Sequence, residues 1–294
     1  MSITKLGILG SGIMGSGIAE VAAKAGIDVV LRSRRQETAD AMVTALERSL
    51  AKQVQRGRLE ETAAKDISGR VTATDDLGAL ADADLVLESV VEDLVVKKEL
   101  FQQLDRIVKA DSLLATNTST LPIVELAMAT GRPDKVVGIH FFNPAPAMSL
   151  VEVIAPLTAS PSTVEAAKAF ATRCGKDVVE VKDRAGFIVN ALLFPYLNNA
   201  VRMLEAGTAS RDDIDTAMRG GCNFPMGPLA LLDLVGLDTS LSILDALYEE
   251  ARDPNYAAIP LLRRMVAAGR LGRKSGAGFY DYPPRSPTAS ATTS

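Results

Sequence analysis

What this sequence has little of narrows its function first. Its 294 residues contain only two cysteines, Cys174 and Cys222. Two thiols supply neither a disulfide framework nor a thiolate metal cluster, and they read as small buried hydrophobes in a reducing compartment. No run of eighteen apolar residues occurs, so no membrane-spanning helix is expected. The chain enters a strand pattern within a few residues and lacks a signal-peptide pattern, which points to the cytoplasm. Basic and acidic residues nearly balance, 32 against 36, and no long block of one sign appears. A nucleic-acid partner is therefore not expected, although a small basic patch for one anionic ligand is allowed. Histidine occurs once, at His140. No metal-ligand cluster is visible, and no metal is expected.

What is present is apolar mass, 47% of the residues, enough at this length for a globular chain of two domains. The most informative stretch is Lys5-Leu6-Gly7-Ile8-Leu9-Gly10-Ser11-Gly12-Ile13-Met14-Gly15. An apolar strand feeds a Gly-x-Gly-x-x-Gly turn, and an Ala-rich helical segment follows. In that context Gly10 permits a tight turn, Gly12 leaves room for a pyrophosphate, and Gly15 lets helix pack against strand. The helix start at Ile13 and Met14 offers free N–H groups and a positive dipole end to phosphates. The plainer reading is a glycine-rich turn in an unrelated α/β protein.

The second strand, Ile27 to Leu31, is followed by Arg32-Ser33-Arg34-Arg35. A dinucleotide with a free 2′-hydroxyl usually meets Asp or Glu at this point. Here no carboxylate is present, and arginine suits a 2′-phosphate through paired hydrogen bonds. Ser33 and Arg34 are therefore candidate cofactor contacts, and NADP joins NAD as candidate cofactor. A solvated basic turn is the alternative.

Further apolar strands are expected near 71–74, 84–90, 113–117, 135–140, 150–154 and 177–181. Helices are expected near 36–55, 59–67, 94–108, 121–129 and 161–173. Lys97 and Lys98 fall on early turns of the 94–108 helix, either as a solvated face or as cofactor contacts. Ser119 follows a strand, where parallel sheets place their ligand crevice. The competing role there is a helix N-cap for 121–129. Glu152 interrupts an apolar strand, which is costly for a carboxylate without a partner. His140 lies twelve residues earlier, across a turn. A carboxylate beside the imidazole would fix its tautomer and stabilise its protonated form. Such a pair suits proton exchange with a hydroxyl as hydride leaves the same carbon. A structural histidine and an unrelated strand glutamate remain the other reading.

From residue 184 the pattern is helical: 185–205 with Pro195 inside, 211–218, 229–235, 238–251 and 259–268. Gly207 is a plausible C-cap, and Ser210 to Asp213 a plausible capping box. Gly220, Gly221, Pro225, Gly227 and Pro228 are expected to break the chain. The fold class is thus α/β. A Rossmann-type, mostly parallel sheet with helices on both faces is expected over 1–183, and an all-helical domain over 184–281. The Pro-rich and Ser/Thr-rich tail over 282–294 reads as disorder.

Several motifs in one order resemble the short-chain L-3-hydroxyacyl-CoA dehydrogenases, including bacterial enzymes acting on 3-hydroxybutyryl-CoA. They are Gly10 to Gly15, Glu88 to Leu100, Asn117-Thr118-Ser119, His140 to Pro144, Leu150 to Val153, Gly186 to Asn190, Pro225 to Pro228 and Gly272 to Gly276. The resemblance implies reversible oxidation of an L-3-hydroxyacyl-CoA by a nicotinamide cofactor, in an enzyme that dimerises through its C-terminal domain. It makes His140 the catalytic histidine and Glu152 its carboxylate partner. Ser119 and Asn190 match contacts to the reacting oxygen, and Asn143 matches a residue near nicotinamide and substrate. Glu92, Lys97 and Lys274 match cofactor contacts, and Ser49 and Arg56 match the helix that meets CoA. Two positions depart from the family pattern: Ser33 stands in place of the usual carboxylate, and Ala191 in place of arginine. The rivals are a related dehydrogenase of a free hydroxy acid or sugar acid, and a catalytically silent nucleotide-binding protein. The intact His140, Glu152, Ser119 and Asn190 set argues against the silent protein.

Overall fold

The computed structural model describes residues 2–10 and 12–282. The tail expected to be disordered lies, from residue 283 onward, outside the described residues. The chain divides into two compact units, one ending at Phe187 and one starting at Ile188.

The first unit alternates strands and helices. In chain order it runs β1 (Lys5–Leu9), α1 (Ile13–Lys24), β2 (Asp28–Arg32), α2 (Gln36–Gln55), α3 (Glu61–Gly69), β3 (Val71–Thr74) and β4 (Leu85–Glu88). It continues with α4 (Leu94–Ile107), β5 (Leu113–Thr116), α5 (Ile123–Ala127), β6 (Val136–Phe141), β7 (Leu150–Ala155), α6 (Pro161–Arg173) and β8 (Asp177–Lys182). All eight strands join one sheet in the order β3-β2-β1-β4-β5-β6-β7-β8. Every pairing is parallel except β6 with β7. This is the doubly wound sheet expected from the sequence. Its strand order reverses direction beside β1, the topological switch point where such sheets bind ligands.

Central strands are apolar on both faces because helices cover both. Leu6, Ile8, Leu85 and Leu87 face a core shared with α1, α2 and α6. Leu9, Val86 and Leu114 face the other, shared with α4 and α5. Local chemistry sets the helix ends. Ser160 caps α6 by accepting from the Thr163 amide, with Pro161 in the first turn. Gly26, at φ 73°, closes α1 in the left-handed conformation that a side chain disfavours.

Two expected helix starts shift. Residues 185–188 are not helical, because Gly186 and Phe187 take positive φ, 73° and 48°, and the helix begins at Val189. Ser119 does not cap α5. That helix starts behind Pro122 without a local side-chain cap, and the Asp183 carboxylate accepts from the Ile123 and Val124 amides at 3.1 and 2.8 Å.

The second unit is helical: α7 (Val189–Glu205), α8 (Arg211–Cys222), α9 (Pro228–Val235), α10 (Leu237–Ala251) and α11 (Pro260–Ala267). Ser210 caps α8 by accepting from the Asp213 amide at 3.2 Å. Gly220 and Gly221 were expected to break the chain, yet α8 runs through both and ends at Asn223, whose left-handed φ of 56° does the stopping. Asparagine tolerates that conformation better than most residues. Buried Asp215 accepts from the Leu229 and Ala230 amides at 2.8 and 3.0 Å, satisfying the start of α9. Buried Asp233 receives the Phe279 and Tyr280 amides at 2.8 Å each and ties down the last described segment. No helix among the described residues is long and apolar enough to cross a membrane.

Candidate active site

The carboxyl edge of the sheet collects most of the candidate residues. At the switch point, α1 begins at Gly12 with no side-chain cap, so its first N–H groups have no local side-chain acceptor. A Cβ added to Gly12 would meet nothing within 4 Å, whereas one on Gly10 would lie 2.1 Å from the Ser89 carbonyl oxygen and one on Gly15 2.4 Å from that of Gly10. Gly10 and Gly15 are therefore fixed by packing, and Gly12 by open space beside a bare helix N-terminus. That fits the pyrophosphate of a dinucleotide. Ile13 is exposed and Met14 packs against the core.

At the end of β2, Ser33 is buried and its amide donates to the Thr74 carbonyl at 3.0 Å. Arg32 is held by the Asp75 carbonyl at 3.1 Å. Arg34 and Arg35 are exposed, and neither guanidinium has a hydrogen-bond or ion-pair partner among the described residues.

Between β4 and β5 lies a charge cluster whose centre, Glu88 and Lys97, is buried. Lys97 Nζ is 2.6 Å from Glu88 Oε1 and 3.3 Å from Glu92 Oε2, with its side chain 1% exposed. Thr116 donates to Glu88 at 2.8 Å, and Thr118 donates to Glu92. The Ser119 amide donates to Glu92 Oε1 at 3.0 Å. Its hydroxyl has no partner among the described residues. The solvated-face reading of Lys97 is thus corrected: α4 lies over β4 and aims its first turn inward. Lys98 does face outward and pairs with Glu125.

On β6, His140 stands directly opposite Glu152 of β7 in the antiparallel register. The imidazole Nδ1 lies 2.8 Å from Glu152 Oε2, and both side chains are buried. Phe142 and Phe187 set their rings edge-on to the imidazole, with centroids at 4.6 and 5.4 Å. The Asn117 amide oxygen accepts from the Phe141 amide at 2.8 Å and fixes the end of β6. Asn143 follows on the exposed loop, joined to Pro144 by a cis peptide bond, and its amide group has no partner among the described residues.

The remaining candidates lie elsewhere. Ser49 on α2 donates to Glu20 of α1 at 2.9 Å. Burial raises the Glu20 carboxyl's pKa, but hydrogen bonds from Lys24, Gln53 and Ser49 outweigh it and leave the carboxyl below its usual value. Arg56 closes α2 on the surface. In the second unit, Asn190 is the second residue of α7 and is buried. Lys274 pairs with Asp238 at 2.6 Å.

Sequence reasoning passed over Glu88, Thr116 and Thr118. For Glu88 the signal was available, since it too is a carboxylate in an apolar strand.

An open helix N-terminus at a switch point, with a buried imidazole–carboxylate pair further along the same sheet, is the equipment of a dinucleotide-dependent oxidoreductase. Comparison with known proteins makes this specific. The model for the NAD binding domain of 3-hydroxyacyl-CoA dehydrogenase matches residues 5–184, and that for its C-terminal domain matches 186–282. The 3-hydroxybutyryl-CoA dehydrogenase of Mycobacterium tuberculosis H37Rv is 48% identical over 287 residues, spanning 96% of this chain and 99% of its own. The human mitochondrial hydroxyacyl-coenzyme A dehydrogenase is 44% identical over 282 residues, spanning 94% and 90%. The crystal structure of (S)-3-hydroxybutyryl-CoA dehydrogenase from Ralstonia eutropha superimposes with a TM-score of 0.93 at 40% identity, covering 96% of this chain and 99% of that one. The chain belongs to the 3-hydroxyacyl-CoA dehydrogenase family.

Proposed function

We propose that this chain catalyses reversible oxidation of an L-3-hydroxyacyl-CoA to the 3-oxoacyl-CoA, with the four-carbon 3-hydroxybutyryl group as its acyl chain. The observation that carries the proposal is the His140–Glu152 contact of 2.8 Å at the carboxyl edge of the sheet. Related enzymes named for 3-hydroxybutyryl-CoA give the substrate class. When bound, NAD or NADP accepts the hydride and supplies the redox chemistry. The protein's own task is the proton. The Glu152 carboxylate accepts from Nδ1–H, a tautomer assigned from this network, so the lone pair sits on Nε2. Nε2 takes the hydroxyl proton in oxidation and returns it to the ketone oxygen in reduction. Ser119 and Asn190 hold the oxygen on which charge changes, and Asn143 orients the reacting groups.

Glu92, Lys97 and Lys274 serve the cofactor. Ser49 and Arg56 serve CoA. While Ser49 donates its only proton to Glu20, it can only accept from a ligand, so it suits a CoA hydroxyl or amide better than a phosphate. The unpartnered Arg34 and Arg35 guanidinium groups support NADPH use. Exposed Leu192, Met203, Phe224 and Leu234 support a homodimer formed through the second unit, checked by its mass in sedimentation. A cytoplasmic setting accords with two free cysteines, of which the Cys174 thiol is pushed by burial up to about 12.

The test is steady-state reduction of acetoacetyl-CoA with NADH and, separately, with NADPH. Turnover is expected with at least one, and a higher kcat/KM with NADPH supports the arginine reading. No turnover with either, while free acetoacetate is reduced, overturns the CoA assignment.

A further inference from the structure

The Glu88–Lys97–Glu92 cluster has more charge than packing requires. Glu88 closes β4, in register with Leu9 at the end of β1 and Thr116 at the end of β5. Its side chain is 0% exposed. Oε1 accepts from Lys97 Nζ and from the Val90 amide, each at 2.6 Å, and Oε2 accepts from Thr116 at 2.8 Å. Burying an ion pair is a poor way to stabilise a fold, because desolvation offsets the attraction and apolar residues of like volume do as well. The strand positions before it, Leu85, Val86 and Leu87, are such residues. With Glu92 included, two carboxylates face one ammonium, and the cluster keeps a net charge of −1.

Its place gives that charge a use. In a doubly wound sheet one mononucleotide half of the crevice lies over β1, β2 and β3, where the adenosine ribose is met. The other half lies along the carboxyl ends of β4, β5 and β6. Glu88 stands where the halves meet, and His140 stands on β6. The nicotinamide ring is the one part of the cofactor whose charge changes, positive when oxidised and neutral when reduced. We propose that Glu88 is a positioning residue whose carboxylate holds Lys97 and sets the cluster's negative balance, and that this balance favours the oxidised cofactor over the reduced one. The inference rests on the reading of the first unit as a nicotinamide-cofactor domain.

The test measures dissociation constants of oxidised and reduced cofactor separately, by fluorescence or calorimetric titration without acyl-CoA, using NAD+ with NADH and NADP+ with NADPH. In Glu88→Gln the ratio of oxidised to reduced Kd rises on the order of tenfold, the size of one unit charge acting across roughly a nanometre at an effective dielectric of about 20. In the double variant Glu88→Gln/Lys97→Gln the net charge returns to −1, and the ratio returns to within about twofold of the parent. A merely structural role predicts the opposite order, with the double variant further from the parent than the single. Glu92→Gln, at a part-exposed position, shifts the ratio in the same direction and keeps the test open should Glu88→Gln not fold. A ratio unmoved in the variants that bind both forms overturns the inference alone. A parent chain that binds neither form overturns the cofactor reading and the inference with it.

Discussion

The two edges of the first unit's sheet are both charged, and they divide their charges differently between backbone and each other. At the amino edge, ionic groups chiefly tie down backbone, and Asp84 and Arg132 also pair with Lys109 and Asp105. Asp84, just before β4, accepts from the Thr4 and Lys5 amides at 2.7 and 3.0 Å. Arg173 donates to the carbonyls of Ile3, Ala25 and Gly26, and Arg132 to those of Asp105 and Lys109. At the carboxyl edge, the buried charged groups pair with each other, Glu88 with Lys97 and Glu152 with His140, and Glu88 and Glu92 also take the Val90 and Ser119 amides. Among the described residues, the polar groups left over there include the uncapped start of α1, the Ser119 hydroxyl, the Asn143 amide and the Arg34 and Arg35 guanidinium groups. One edge is tied down through backbone; the other, on the proposed function, keeps its polar tips for ligands. Substitutions at the carboxyl edge should therefore change turnover more than folding, and those at the amino edge the reverse.

The largest effect is expected for His140→Ala. Removing a positioned acid–base group costs on the order of a thousandfold in kcat. Cofactor Kd should stay close to the parent value, while Tm falls, because alanine takes the imidazole away from the buried Glu152 carboxylate. A variant turning over acetoacetyl-CoA as fast as the parent would sink the mechanism. Glu152→Gln comes next. Glutamine fills the same volume and can still meet Nδ1, but it cannot stabilise imidazolium as a carboxylate does. A loss of about a hundredfold in kcat is expected, with little change in acyl-CoA KM. Equal losses from Arg173→Ala, measured per folded molecule, would break the contrast between the edges.

Much of this was legible in the sequence, and the failures share one cause. Each strand carries its apolar run, and His140 with Glu152 could be read because a carboxylate amid valines needs a partner. Glu88 gives the same signal at the end of its strand, but a terminal glutamate passes for a solvated one. Lys97 sits on the first turn of a helix, where lysine is ordinarily exposed; only the seating of α4 over β4 buries it. Asp183 and Asp215 cap helices from 60 and 14 residues away in sequence, beyond any local capping pattern. Gly220 and Gly221 read as breakers, yet glycine costs only about 1 kcal/mol each within a helix, which does not by itself end one.

Arg34→Ala/Arg35→Ala sharpens the contrast at the carboxyl edge of β2, where these two guanidinium groups have no partner among the described residues. The two guanidinium groups are expected to matter only for a 2′-phosphate. kcat/KM with NADPH should fall on the order of tenfold, while that with NADH stays within about twofold. An equal fall with both cofactors would assign the arginines to another anion, and no fall with either would leave them a solvated turn.

Asp84→Asn is the smallest effect and tests the amino edge. Burial raises the Asp84 carboxyl's pKa, but the Lys109 ammonium and the Thr4 and Lys5 groups outweigh it and hold the carboxyl well below its usual range. A carboxyl depressed in the folded state adds stability that is fully present above the unfolded value near ~4 and lost as pH falls through the folded value. Asparagine keeps an oxygen for the two amides and gives up the ion pair with part-exposed Lys109, so about 1 kcal/mol is expected at pH 7. Urea unfolding followed from pH 7 to pH 2 should show the parent above the variant by that margin down to about pH 4, with the two curves converging below it. Parallel curves across the range would mean that the Asp84 charge adds nothing to the tie, and that the amino edge is closed by neutral hydrogen bonds alone.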